Sequence, residues 1–396
     1  MNDKNKLGIF IRCCYGYAVS GMAVLVIGAI LPYIIEEAGI SFLAAGGILS
    51  VMAVGNLLAS FLFPLLAAAL GRKWAIFSMT MLTPFCILIL SFLPPLPVMY
   101  GVMLVYGMVR GCITILNNAA VNDIYEKDAV GKLNILHCSF AIGAFLAPFL
   151  TARLMKMGLD WRTVLYLILF LTATSSIFYG TMNDTLLREK EESRKKAPNI
   201  KKGSDSGFEF LKSFGFYCIA LILFFYLGVE NCINGWFVTY LQNTGVMSDE
   251  YATTLVSLTW LVIMAGRLLC AVLSKRIAPP NMILINAIGS ALCFFVLIST
   301  KNLSLVTIAL LGFGFFLAGI YPTSIANAGP LIHGSTMGMS LLTAISALGG
   351  IITPQLVGGA ADHIGIVAAI SILVVNMVLV VLFSMINLRM KKKPHL

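Results

Sequence analysis

The stretch that decides the fold is Phe42–Leu70, FLAAGGILSVMAVGNLLASFLFPLLAAAL, which carries no charge. Gly71-Arg72-Lys73 closes it, and a second apolar run, WAIFSMTMLTPFCILILSFL at Trp74–Leu93, follows at once. A helix needs about 20 mostly apolar residues to cross a hydrocarbon core of about 30 Å. Two such runs around a cationic turn read as one passage through a bilayer and one back. The pattern recurs near Leu7–Ile35, Val98–Ile124, Leu133–Met157, Trp161–Met182, Phe214–Leu241, Tyr251–Leu273, Met282–Ile298, Ser304–Pro330, Met337–Ala361 and Ile364–Asn387. The expected fold class is an all-α polytopic membrane protein of about twelve transmembrane helices.

Composition agrees. Hydrophobic residues make up 59% and charged residues 11% of the 396 positions, and the mean hydropathy is +0.93. No soluble core hides that much apolar surface. Gly, Ala, Ser and Thr scattered through the runs suit helices packed closely in lipid, and the alternating pattern of a transmembrane barrel is missing. The nine cysteines lie in apolar stretches, as at Cys86, Cys112, Cys218 and Cys293, without C-x-x-C or metal-ligand spacing, and read as small packing residues. Lys4 and Lys6 before an apolar run, with Ala18-Val19-Ser20 further on, resemble a signal peptide, but the run continues past that point and an uncleaved first helix is expected.

A net charge of +10 would suit nucleic-acid binding in a soluble protein. Here its placement follows a membrane rule instead. Cations gather at Lys4/Lys6, Arg72/Lys73, Lys127/Lys132, Arg188–Lys202, Lys275/Arg276 and Lys391–Lys393, while the alternate connections carry Glu36/Glu37, Asp249/Glu250 and Asp362. Cytoplasmic N and C termini, a multi-pass location in the cell (inner) membrane, a lipid partner and no nucleic-acid partner are expected. The polar stretch 183–209, with REKEESRKK, reads as a cytoplasmic linker. It separates a six-helix bundle at 1–182 from a second at 210–396.

The two bundles repeat. Gly21 and Gly228, Gly28 and Gly235, and Tyr33 and Tyr240 are each 207 positions apart (228 − 21), as are Gly107/Gly314, Ile113/Ile320 and Ala119/Ala326. The register shifts by one for Gly143/Gly349 and Pro148/Pro354. Gly143, Gly349 and Gly350 read as sites of close helix approach rather than ligand contacts. Parallel repeats of this kind belong to transporters whose substrate site lies where the halves meet.

Gly71-Arg72-Lys73 resembles the end of the cytoplasmic loop signature of the major facilitator superfamily, G-x-x-x-D-R-x-G-R-R, with Pro64, Ala68 and Ala69 where that pattern has Gly, Asp and Arg. Ala271–Arg276 is a similar degraded copy. LNILHCSFAIGAFLAP (133–148), GVENCINGW (228–236), GRLLCAVLSKRIAP (266–279), IYPT (320–323) and ALGGIITPQLVGGAADHIG (347–365) resemble the fucose–galactose–gluconate proton symporter branch. The resemblance implies the major facilitator fold and proton-coupled symport of a sugar; Arg72, Lys73 and Arg267 are the candidate gating residues. The first span departs from it: no Asp or Glu lies between Ile9 and Tyr33, where fucose permease-like members place an acidic sugar-binding residue. The departure counts against fucose itself.

Ionisable groups at membrane depth cost several kcal/mol unless paired or hydrated, and so mark function. Glu230, mid-way along the seventh span, is the candidate proton-coupling carboxylate; a structural ion pair is the competing role. Arg110, mid-way along the fourth, has three open roles: substrate anchor, partner of Glu230, or structural pin. Arg267 reads as a snorkelling or gating residue and His137 as structural.

Neutral groups complete a candidate sugar site: Asn117, Asn118 and Asn122; Asn231, Asn234 and Trp236; Tyr321, Thr323 and Asn327. Amides serve hydroxyl groups as donor and acceptor, and an aromatic face covers the C–H surface of a pyranose. Interhelical hydrogen bonding is the alternative use of each. No nucleotide-binding motif, cofactor motif or catalytic constellation is present, so an ion gradient is the expected energy source, with proton coupling expected and sodium the alternative. A monomeric transporter, not an enzyme, is expected; drug or organic-anion efflux by antiport and a non-transporting sensor are the rival functions.

Overall fold

The computed structural model describes residues 2–125, 129–189, 209–274, 276–332 and 336–391. These residues form helices and no strand. The helices are α1 (Asn2–Ala38), α2 (Phe42–Leu70), α3 (Arg72–Ser91), α4 (Leu96–Ile124), α5 (Ala129–Lys156), α6 (Arg162–Gly180), α7 (Phe214–Asn243) and α8 (Asp249–Leu273). They continue as α9 (Pro279–Ser299), α10 (Leu303–Leu317), α11 (Ile320–Ile332), α12 (Thr336–Ile364), α13 (Ile366–Ala369) and α14 (Ile372–Lys391). Among the described residues twelve stretches are long and apolar enough to cross a membrane, one of them running through α10 and α11 and one through α13 and α14. The expected linker lies mostly outside the described residues, as do Lys127 and Lys275.

The tenth span, expected as one helix, is broken between α10 and α11. Pro322 explains the break: it has no N–H for the carbonyl of Ala318, and its ring crowds that carbonyl. The helix resumes with Thr323 N donating to Gly319 O at 3.3 Å.

The chain forms two compact units: residues 1–39 with 51–202, and residues 40–50 with 203–396. In the first, α1 packs along α5 and α3 along α6. Gly21 and Gly143 make the α1–α5 approach possible, because a Cβ on either would enter the backbone of the facing helix, at Phe140 and Ala18 respectively. The second unit repeats the device. Gly349 of α12 lies against the backbone of Phe224 on α7, and Gly228 of α7 against Thr353 of α12. Without a hydrophobic drive between helices in lipid, such close van der Waals packing is what holds each bundle together. Outward-facing Phe61, Leu65, Phe85, Phe92, Leu292, Phe295 and Ile308 are exposed, as a lipid-facing surface requires.

The start of α2 belongs to the second unit. The Asp362 carboxylate accepts from Phe42 N at 2.6 Å and Leu43 N at 3.0 Å, capping the first turn of α2. Ser50 Oγ donates to Ile351 O at 2.6 Å.

Candidate functional site

In the second unit the ionisable groups meet on α7 and α8. Glu230 lies one turn after Tyr226, whose hydroxyl donates to Glu230 Oε1 at 3.0 Å. Arg267 Nη2 stands 3.6 Å from the same oxygen, and the side chains are 19% (Glu230) and 30% (Arg267) exposed. Arg267 Nε is buried with no hydrogen-bond partner among the described residues. The residue read as a gate or snorkel thus has its guanidinium beside the candidate coupling carboxylate. Tyr226 was not singled out in the sequence, although its i, i+4 spacing from Glu230 is visible there.

Around this group, the Tyr321 ring is 5.9 Å from that of Tyr226. Thr323 Oγ1 donates to Met282 Sδ at 3.6 Å. Asn327, buried, donates from Nδ2 to Asn387 Oδ1 at 3.2 Å, while its own Oδ1 has no hydrogen-bond partner among the described residues. Asn234 Oδ1 is likewise buried and unbonded. Asn231 lies against Gly350, where a Cβ would collide with its Nδ2. Trp236 is fully buried, donates Nε1–H to Pro354 O at 3.0 Å, and packs 6.0 Å from the Phe42 ring.

In the first unit the polar residues of α4 divide. Asn117 is buried and its amide is taken up at both ends: Nδ2 donates to Cys13 O at 3.3 Å, and Oδ1 accepts from Tyr179 at 3.0 Å. It ties α4 to α1 and α6. Asn118, the next residue, has a buried Oδ1 without a hydrogen-bond partner among the described residues. Asn122 lies on α4 with its side chain outside the described residues. Arg110 lines a small cavity between α1, α3, α4 and α6, with Ser20, Thr83 and Ser175 among the other walls.

Arg72 Nη1 is 2.6 Å from Asp123 Oδ2, with side chains 17% and 6% exposed, and joins the start of α3 to the end of α4. Asp123 thus supplies a charge clamp for Arg72, although Ala68 and Ala69 stand where the loop signature has Asp and Arg. Lys73 Nζ lies 5.4 Å from the Trp74 ring centroid. His137 is exposed, its ring 5.4 Å from that of Tyr17. Among the described residues no cluster of His, Cys, Asp and Glu fits a metal ion, and all nine cysteines are free.

Twelve apolar stretches of membrane-spanning length among the described residues, with ionisable groups inside them, define a multi-pass helical membrane protein. The Major Facilitator Superfamily model matches residues 13–354, and the chain belongs to that superfamily of membrane transporters. It is 24% identical over 390 residues to Bypass of stop codon protein 6 of Saccharomyces cerevisiae, covering 90% of this chain and 77% of that protein. It is 26% identical over 284 residues to Sodium-dependent glucose transporter 1 of Xenopus laevis, covering 65% of this chain and 56% of that one. The nucleoside transporter NupG shares the fold with a TM-score of 0.76 at 15% identity, over 98% of this chain and 100% of that structure. The D-xylose-proton symporter shares it with a TM-score of 0.74 at 15% identity, over 96% and 97%.

Proposed function

We propose that this chain is a secondary active transporter that carries a small polar solute, a sugar or sugar derivative, by proton-coupled alternating access. The observation that carries the reading is the Tyr226–Glu230–Arg267 group inside the helices of the second unit. A carboxylate there is costly without a partner. Proton uptake by Glu230 dissolves its ion pair and frees Arg267, so one protonation event changes the contact between α7 and α8. That is the element a coupled carrier needs. Asn118, Asn234 and Asn327 each have a buried amide oxygen without a hydrogen bond to a described residue, which supports a part for them in receiving a hydroxylated solute.

On this reading the two six-helix halves 1–182 and 210–396 work as the alternating bodies, and the linker and both termini face the cytoplasm of a cell-membrane monomer. Sodium coupling is the second reading, favoured by the relative named as a sodium-dependent glucose transporter.

Proteoliposome uptake separates these readings. A panel of sugars is tested for counterflow, and the solutes that exchange are then offered with an inward pH gradient or an inward sodium gradient. Uphill uptake on the pH gradient alone supports proton symport; uptake on the sodium gradient alone replaces the coupling ion. No counterflow with any sugar removes the sugar assignment.

A further inference from the structure

Glu230 is held by one of its two oxygens. The Tyr226 hydroxyl donates to Oε1 at 3.0 Å, and Arg267 Nη2 stands 3.6 Å from the same atom. Oε2 makes no hydrogen bond to a described residue. The Glu230 side chain is 19% exposed, while Tyr226 is 1% exposed and its ring lies 5.9 Å from that of Tyr321 on α11. A spacing of four residues puts hydroxyl and carboxylate on one face of α7, so no other element is needed to bring them together. The internal repeat treats them as a pair. An offset of 207 sets Tyr226 against Val19 and Glu230 against Ala23 (226 − 207 = 19, 230 − 207 = 23), and α1 has neither group there.

The elements packed on α7 are α8, α11, α12, α13, α14 and the short helix Glu209–Lys212. α8 contributes Arg267 and, far along the helix, Asp249 and Glu250 in its first turn. α11 contributes Tyr321. α12 and α14 carry titratable side chains only toward their ends, Asp362 and His363 on the one and Arg389 and Lys391 on the other, and α13 carries none. Among the described residues Tyr226 and Arg267 are thus the groups in contact with Glu230.

We propose that Tyr226 is a positioning residue of the coupling group: by donating to Oε1 it orients Glu230, leaves Oε2 as the oxygen that takes the proton, and sets the pH at which it does so. This role rests on the reading of Glu230 as the proton carrier. A hydrogen bond donated to a carboxylate is about twice as strong as one donated to the neutral acid, so its loss penalises the charged form more than the protonated one.

Infrared titration of the purified protein tests this without solute or gradient. The carbonyl band of protonated Glu230 is the one absent from Glu230→Gln. In Tyr226→Phe its midpoint is expected to move to higher pH by about one unit, the differential worth of one hydrogen bond to a charged group. Fluorotyrosine placed at 226 is a stronger donor of nearly the same shape and is expected to move the midpoint the other way; it decides the matter alone if Tyr226→Phe does not fold. Tyr240→Phe, on the same helix, is expected to leave the midpoint in place. A midpoint unmoved at position 226, or moved equally by Tyr240→Phe, overturns the proposal, and so does the lack of any band that Glu230→Gln removes. An unmoved midpoint beside proton-driven uptake defeats the Tyr226 role alone, whereas a shifted midpoint beside no sugar counterflow defeats the sugar reading alone.

Discussion

The two units share their packing and differ in their charges. Gly21 and Gly143 bring α1 against α5 just as Gly228 and Gly349 bring α7 against α12. Yet the first unit has Ala23 where the second has Glu230, and Leu317 stands at the position that matches Arg110 (110 + 207 = 317). Helix contacts in lipid depend on small residues at fixed places, so a duplicated bundle keeps them on pain of not assembling. Ionisable groups carry no such packing requirement and cost free energy at membrane depth. The positions where the repeat fails are therefore where function is to be sought.

The largest effect is expected where the repeat holds. Gly143→Val and Gly349→Val each drive a side chain into a facing backbone, and each should cost more than about 3 kcal/mol, read as loss of a monodisperse folded peak in size-exclusion chromatography. Equal losses support equivalent packing. A folded, stable Gly349→Val beside a collapsed Gly143→Val would break the comparison at its structural half.

The second test addresses the charged half. Glu230→Gln keeps the shape and the Tyr226 contact but cannot release a proton, so accumulation on a pH gradient should vanish while counterflow persists. Arg267→Gln leaves the carboxylate without its cation and should lower stability by about 1–2 kcal/mol, a figure discounted for the partial exposure of both groups. The double variant should recover part of that loss, because nothing is left unpaired. Wild-type uphill uptake by Glu230→Gln would make the pair structural, and additive losses in the double variant would separate the two residues.

How much of this was legible beforehand follows from the physics of each signal. Spans are legible because a bilayer demands long apolar runs, and Phe42–Leu70 has the same bounds in the sequence reading and in the structure. Close-approach glycines are legible through the repeat. Glu230 is legible because a charge at membrane depth needs a reason. Its contact with Arg267 is not: the two lie on different helices, and helix rotation is set by packing that no local spacing records. The same holds for Asp123 with Arg72 and for Asp362 with the start of α2, whose partners are 51 and 320 residues away. Trp236 read as a sugar platform because its chemistry suits one; in the structure its ring lies fully buried within the second unit.

Asn117 and Asn118 give the finest test, since neighbouring residues of one type point about 100° apart on a helix and the sequence cannot rank them. The Asn117 amide bonds to α1 and α6 at both ends. Replacing it with leucine, similar in volume, leaves the Tyr179 hydroxyl and the Cys13 carbonyl without that partner, and should cost about 1–3 kcal/mol of stability with no specific loss of solute affinity. Asn118 Oδ1 has no hydrogen bond to a described residue to lose. Asn118→Leu should therefore change stability by less than about 0.5 kcal/mol, or raise it slightly, because an unsatisfied buried oxygen is removed. Its effect should fall on binding instead, as a weaker Kd for whichever solute supports counterflow. The measurement is unfolding midpoint and solute affinity on both variants. If Asn118→Leu loses stability as Asn117→Leu does and binds solute as the wild type does, then α4 presents neither amide to the solute, and recognition rests on the amides of α7.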